Sequence, residues 1–225
     1  MGVERKKKRG RLLTFVLSFF LILAILFTAL VLMENEAGKN FRAELKARFE
    51  TELIVTDQWP HAQSFDALYV LGGNIRAQRY KFNVVAKVYA QNICRKIYLM
   101  SNKGKMGYDA NIAKNLTVDQ WSFLTLDNAG VSSADVGAIS MGKGVFGTMN
   151  EAEEVAAVVL KNGHRNLLLV ASPYHSKRVR VTFEHFLNGS GVDVVVLGSG
   201  EPKYLRSLFM EWLKLKLYKV LFMLN

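Results

Sequence analysis

Cysteine and acidic charge are both scarce in this chain. Cys94 is the lone cysteine among 225 residues, so an internal disulfide and a thiolate-based metal site are excluded. It sits in an apolar, helix-like context, the setting of an inert buried thiol. Lys and Arg outnumber Asp and Glu by 30 to 19, for a formal net charge of +11. Much of that excess lies at the two apolar ends, +5 in residues 1–33 and +3 in residues 201–225. No block of basic residues interleaved with aromatics occurs between them, so nucleic acid is not an expected partner and anionic lipid headgroups are. The Gly-x-Ser-x-Gly elbow of serine hydrolases is also missing, and the glycine-spaced run MGKGVFG (141–147) reads as a loop. His61, His164 and His185 have no Cys or acidic neighbours at ligand spacing, so no metal is expected, and no motif names a cofactor.

Half of the residues are apolar, and part of that content lies outside any core. Residues 12–33 form a run of 22 without a charged side chain, long enough to cross a bilayer as a helix. Arg5, Lys6, Lys7, Lys8, Arg9 and Arg11 precede it, and Glu34 and Glu36 follow. The positive-inside rule keeps the N-terminus in the cytoplasm and sends the rest outward. A cleaved signal peptide is the alternative, but the exit, ALVLMENEA, offers no small-x-small site. The expected organisation is a basic flank (1–11), an anchor (12–33), a stalk (34–65), a domain (66–200) and a basic, hydrophobic C-terminal helix (201–225). That last helix either packs on the domain or lies at the membrane interface.

Within 66–200, strands and helices alternate. Apolar strands are expected at 66–71, 96–101, 136–140, 167–171 and 192–197, with residues 103–115 as loop. Thr117-x-x-Gln120 and Thr148-x-x-Glu151 each have the pattern of a capping box, and Asn162-Gly163 stops the helix that follows Thr148. Near-continuous apolar strands separated by helices predict a three-layer, Rossmann-like α/β domain with a mainly parallel sheet.

The run 166–178, NLLLVASPYHSKR, carries the strongest functional signal. A buried strand ends in Ser172-Pro173, a helix-start pattern, which delivers Ser172, His175 and Arg178 to the strand's carboxyl end. In open α/β sheets that end is where ligands bind. His175 is a candidate acid or base, and Arg178 is a permanent anion fork on the same helical face. Lys177 and Arg180 are expected to meet solvent. Gly72, Gly73 and Asn74 follow the first strand, where glycine lets an anion approach backbone amides. Thr148 starts a helix whose dipole favours negative charge, and Glu151 reads as its capping partner. Ser172 and His175 are close in sequence, but no carboxylate is apparent to orient His175, so serine-hydrolase chemistry is not expected.

Three segments, DALYVLGGN (66–74), GTMNEAEEVA (147–156) and LLLVASPYHSKRVRVTF (167–183), resemble the SanA/ElyC/YdcF-like family of bacterial envelope proteins. The tail EWLKLKLYKVL (211–221) is also similar, and the resemblance covers roughly 66–221. It places Gly72, Gly73, Thr148, Ser172, His175 and Arg178 at the family's motif positions. The chain departs from the pattern at Ser101-Asn102-Lys103-Gly104, where the family has Ser-Gly-Gly, and at Glu151, where Asn is common. The stretch 103–118 is also longer than usual. The resemblance implies a single-pass protein of the bacterial inner membrane with its domain in the periplasm, acting in envelope biogenesis. The expected ligand is phosphate-bearing, a lipid carrier or a sugar-phosphate intermediate. The alternatives are a non-enzymatic scaffold or regulator docking on envelope-synthesis proteins, and a nucleotide or S-adenosylmethionine site.

Overall fold

The computed structural model describes residues 18–19, 21–23, 25–29, 36–61, 63–109, 113–141 and 147–224. Five strands form one parallel sheet: β1 (Ala67–Val70), β2 (Ile97–Met100), β5 (Val136–Ile139), β6 (Asn166–Ala171) and β7 (Asp193–Gly198). Their order is β5-β2-β1-β6-β7. The chain builds outward from β1 in one direction and then returns to build outward in the other, a Rossmann-like α/β arrangement. Its topological switch point lies between β1 and β6. The register sets Leu68 beside both Ile97 and Leu168, and all four residues of β1 are buried, as a central strand covered on both faces requires.

Helix α2 (Ile75–Ala90) and helix α3 (Val118–Asn128) cover one face, packing Phe82, Val85, Trp121 and Leu126 against Leu68 and Val170. Helices α4 (Gly147–Lys161) and α5 (Ser176–Phe186) cover the other, with Val155, Val159, Val179 and Phe183 against Tyr69 and Leu169. Asn74 caps α2, its side chain accepting from the Ala77 amide at 2.9 Å. The capping box at Thr117 and Gln120 forms as read from the sequence. Gly163, at φ +69°, ends α4 while the His164 amide reaches back to the Val159 carbonyl. Cys94 is buried, and loss of solvation pushes its thiol up to about 12, so it stays protonated.

Two segments differ from the sequence expectation. Residues read as loop form a small antiparallel hairpin, β3 (Lys105–Asp109) and β4 (Lys114–Thr117), which anchors Leu116 in the core. Such short strands, polar and containing Gly107, carry no readable alternation. The stretch expected as a stalk, with FRAELKARFE (41–50) as a short amphipathic helix, holds a longer helix, α1 (Glu36–Leu53), that packs on the domain. Its Phe49 and Leu53 are buried with Leu208, Phe209 and Leu215 of the last helix, α6 (Leu205–Leu224). The Leu53 and Phe49 side chains give α1 an apolar end that needs cover, and α6 supplies it. C-terminal to α1, Val55 donates to Ser176 Oγ, and Asp57 exchanges hydrogen bonds with Val196 on the open edge of β7.

The expected membrane span, 12–33, lies in large part outside the described residues. No helix among the described residues is long and apolar enough to cross a membrane. The described parts of 18–29 are helical, with Phe19, Leu21, Ile22, Ile25 and Leu26 exposed. Leu23 and Phe27 pack on the α1–α6 cluster, and the Phe27 ring stacks on Phe209 at 3.8 Å between centroids.

Candidate functional site at the switch point

The carboxyl ends of β1 and β6 lie side by side, so the segments leaving them share one place in space. After β6, Ser172 and Pro173 open a single 3-10 turn, Pro173–His175, and α5 follows at once. That turn leaves His175 at the cap of α5 and Arg178 in its first turn. From the far side, α4 brings Thr148. The Thr148 hydroxyl accepts a hydrogen bond from Arg178 Nη1 and lies 3.3 Å from His175 Nε2. Three residues named from the sequence, Thr148, His175 and Arg178, thus form one bonded chain.

The direction of that chain follows from charge. His175 is only partly covered from solvent, yet protein surrounds it so closely that desolvation, then the Arg178 cation, holds its pKa well below 6.5. A neutral ring accepts at one nitrogen. In the tautomer that carries the ring's proton on Nδ1, the Thr148 hydroxyl, which accepts from Arg178, donates to Nε2. No hydrogen bond among the described residues joins Ser172 Oγ to the ring, so Ser172 and His175 do not form a nucleophile–base pair.

Arg178 is not the open anion fork that its sequence position suggested. It is 5% exposed, and both Nε and Nη2 donate to Glu211 Oε2, at 2.9 and 2.8 Å. Its guanidinium also lies 5.1 Å from the Tyr218 ring centre. Burial would raise the Glu211 carboxyl, but His175, Arg178 and Lys214 outweigh it and bring it to about 2. Arg180, expected at the surface, pairs instead with Asp57 and Glu184. The capping box at Thr148 does not form. Thr148 turns toward Arg178, and Glu151 turns toward β1.

The glycine pair is clamped by two side chains that the sequence did not single out as functional. Lys81, fully buried on α2, donates to the Leu71 and Gly72 carbonyls at 2.8 and 2.6 Å. On the opposite side, Glu151 Oε2 takes the Gly72 amide at 3.4 Å. A methyl group on Gly72 would lie 2.4 Å from Glu151 Oε1 and push that carboxylate aside, and Gly73, at φ +154°, holds a backbone conformation that strains any side chain. Asn74, named as a ligand contact, is engaged as the α2 cap.

Lys81 and Glu151 face each other across low-dielectric surroundings. Desolvation lowers Lys81 to about 8 despite Glu151 and Glu201 nearby. Desolvation also raises Glu151, against the Gly72 amide, Lys81, Arg178 and Tyr69. Because the folded pKa of Lys81 is depressed from 10.5, its burial disfavours the fold below about pH 8. That cost is relieved as pH rises toward 10.5. Denaturant midpoints are therefore expected to hold an alkaline component that Lys81→Met removes, and superimposable pH profiles would refute this.

The connection from β7 to α6 closes over the same edge. Ser199 donates from its amide to the Ala171 carbonyl, and Glu201 accepts from the Tyr174 hydroxyl at 2.7 Å. Tyr204 reaches Arg76 at the start of α2. On this strap, Ser199 Oγ and Glu201 Oε2 are buried without hydrogen-bond partners among the described residues, while Tyr69 on β1 turns toward Glu151. Next to the glycine pair, a cavity of about 30 Å³ touches Gly73, Gln78, Asn102 and Ser122, room for about one water. A roomier cavity of about 390 Å³ lies at the opposite end of β7 and touches none of the candidate residues. No three His, Cys, Asp or Glu side chains among the described residues stand close enough to share a metal ion.

No family model matches this chain, and no curated protein matches it in sequence.

Proposed function

We propose that this chain is a single-pass protein of the bacterial inner membrane whose Rossmann-like domain, facing the periplasm, binds a phosphate-bearing ligand during envelope biogenesis. One observation carries the reading: Thr148, His175 and Arg178, drawn from two separate segments, meet at the switch point where α/β sheets take their ligands. The neutral His175 offers Nδ1–H to an anion, and it is the group placed to pass a proton if the ligand reacts. The start of α4 adds the positive end of a helix dipole. Ser199 Oγ and Glu201 Oε2 on the strap, buried without partners among the described residues, are further places for a polar ligand to bond. The apolar run 12–33, its basic flank and the resemblance to SanA/ElyC/YdcF-like proteins support the membrane placement, and a lipid-linked phosphate suits a domain held at the bilayer.

The test is thermal unfolding of the full chain in detergent with inorganic phosphate and with farnesyl phosphate. Near-saturating ligand is expected to raise the melting temperature by roughly 5–10 °C, and His175→Ala to abolish the rise. An unchanged melt with both ligands would sink the ligand reading. One observation favours a second reading, a scaffold for envelope-synthesis proteins: Arg178 is already satisfied by Glu211 in the closed site. That reading makes substitutions on α6 more damaging to envelope integrity than substitutions at His175.

A further inference from the structure

Resting on the ligand reading above, we propose that the Glu151 carboxylate fills the position a ligand's anionic group takes at the exit of β1, as an internal competitor the ligand must displace. The donors there are those that hold a phosphate oxygen: the Gly72 backbone amide, a neighbouring ammonium on Lys81 and the first turns of α4. Glu151 already occupies the first of these, with Lys81 close enough to act on its charge. Its Oε2 meets the Gly72 amide at 3.4 Å, a long contact that can be exchanged, and its Oε1 fills the space beside the Gly72 α-carbon. Only 7% of Glu151 is exposed, so the carboxylate has exchanged bulk water for this donor set.

Every packed element contributes a group to the balance. Tyr69 on β1, Lys81 on α2 and Arg178 on α5 face Glu151 directly. Glu201, on the strap, faces Lys81, and Glu211, on α6, is bonded to Arg178. His175 stands at the cap of α5, bonded to Thr148 on Glu151's own helix. Three carboxylates, Glu151, Glu201 and Glu211, thus stand against the Lys81 and Arg178 cations, with Lys214 of α6 bonded to Glu211, so the site already holds negative charge before any ligand arrives. An incoming anion and an ionised Glu151 repel each other at the same donors. The anion therefore enters with a proton taken up by Glu151, whose pKa desolvation already raises, or with the carboxylate swung away.

Sulfate separates the protein's titration from the ligand's, because its charge does not change near neutral pH. Binding of sulfate and of inorganic phosphate to the full chain in detergent is followed by calorimetry from mildly acid to mildly alkaline pH. Wild type is expected to bind sulfate more tightly as pH falls. Glu151→Gln is expected to bind it about tenfold tighter at neutral pH, the effect of one pKa unit of like-charge coupling, with a flattened pH profile. The wild-type profile needs no variant, and Glu151→Asn repeats the test if the glutamine variant unfolds. Sulfate binding that His175→Ala abolishes but Glu151→Gln leaves unchanged or weakens overturns the competitor and leaves the ligand reading standing. Absence of binding to wild type and to both Glu151 variants overturns both. Binding that appears only once Glu151 is neutralised supports the competitor.

Discussion

Replacing Glu211 by alanine is expected to cost about 3–5 kcal/mol of stability, the range for leaving a buried charge without its partner. Arg178 and Glu211 are 5% and 6% exposed, so water cannot readily stand in for the missing carboxylate. Nothing else described next to Arg178 carries negative charge at bonding distance. Its remaining contacts are the Thr148 hydroxyl and the Tyr218 ring. For a domain of this size the loss corresponds to a melting temperature lower by roughly 6–20 °C. Removing both charges together, as Arg178→Met with Glu211→Leu, is expected to restore most of it, because neither ion then remains desolvated and alone. If the single and double variants melted alike, the ion pair would not be the cause. The same pair has an acid signature. The folded pKa of Glu211 is depressed from 4.5 to about 2, so its contribution is complete above pH 4.5 and is lost as pH falls toward 2.

Leu53→Ala is expected to be nearly as damaging, at about 2–5 kcal/mol, in line with leucine truncations in packed cores. Leu53 is 1% exposed among Phe49, Leu208, Phe209 and Leu215, and its carbonyl accepts from Ser176 Oγ at 3.3 Å. A free stalk would tolerate the change within about 0.5 kcal/mol, as exposed positions do. Urea unfolding of the two proteins separates these outcomes, and a midpoint shift within error would return α1 to the role of a spacer.

The sheet and the polar cluster at the end of β6 could be read from the sequence because both follow from local rules. Apolar strands, Asn162-Gly163 and Ser172-Pro173 each act on their immediate neighbours. The rest of the site depends on which helix faces meet, and Lys81, Glu151 and Glu211 show why that escaped notice. Each is a charged residue on a buried face; Glu151 reads as a capping partner, and nothing near Lys81 or Glu211 in sequence marks them as part of a site. Lys81 falls between Ala77 and Val85 at helical spacing, Glu151 beside Ala152 and Val155, and Glu211 between Leu208 and Leu215. A charge at an inward position of an apolar stripe was the available signal. Its meaning needs a partner on another helix: Glu211 lies 33 residues from Arg178, and Glu151 lies 79 from Gly72. The hairpin at 105–117 gave no such signal, since its strands are too short and too polar to show a period.

Helix α1 and the residues after it are joined to α6 and to β7, far along the chain. Trp212 and Lys216 bond to Glu52 across 160 and 164 residues, and Asp57 meets Val196 across 139. On a ribosome adding about 5–20 residues per second, Phe49 and Leu53 emerge roughly 10–30 s before α6 exists to cover them. The nascent protein therefore passes through a stage in which its sheet can assemble while Phe49 and Leu53 of α1 still lack their cover from α6. Closing so long a loop belongs to the slow class of folding events. Helix α6 thus decides when Phe49 and Leu53 stop being a target for chaperones and proteases.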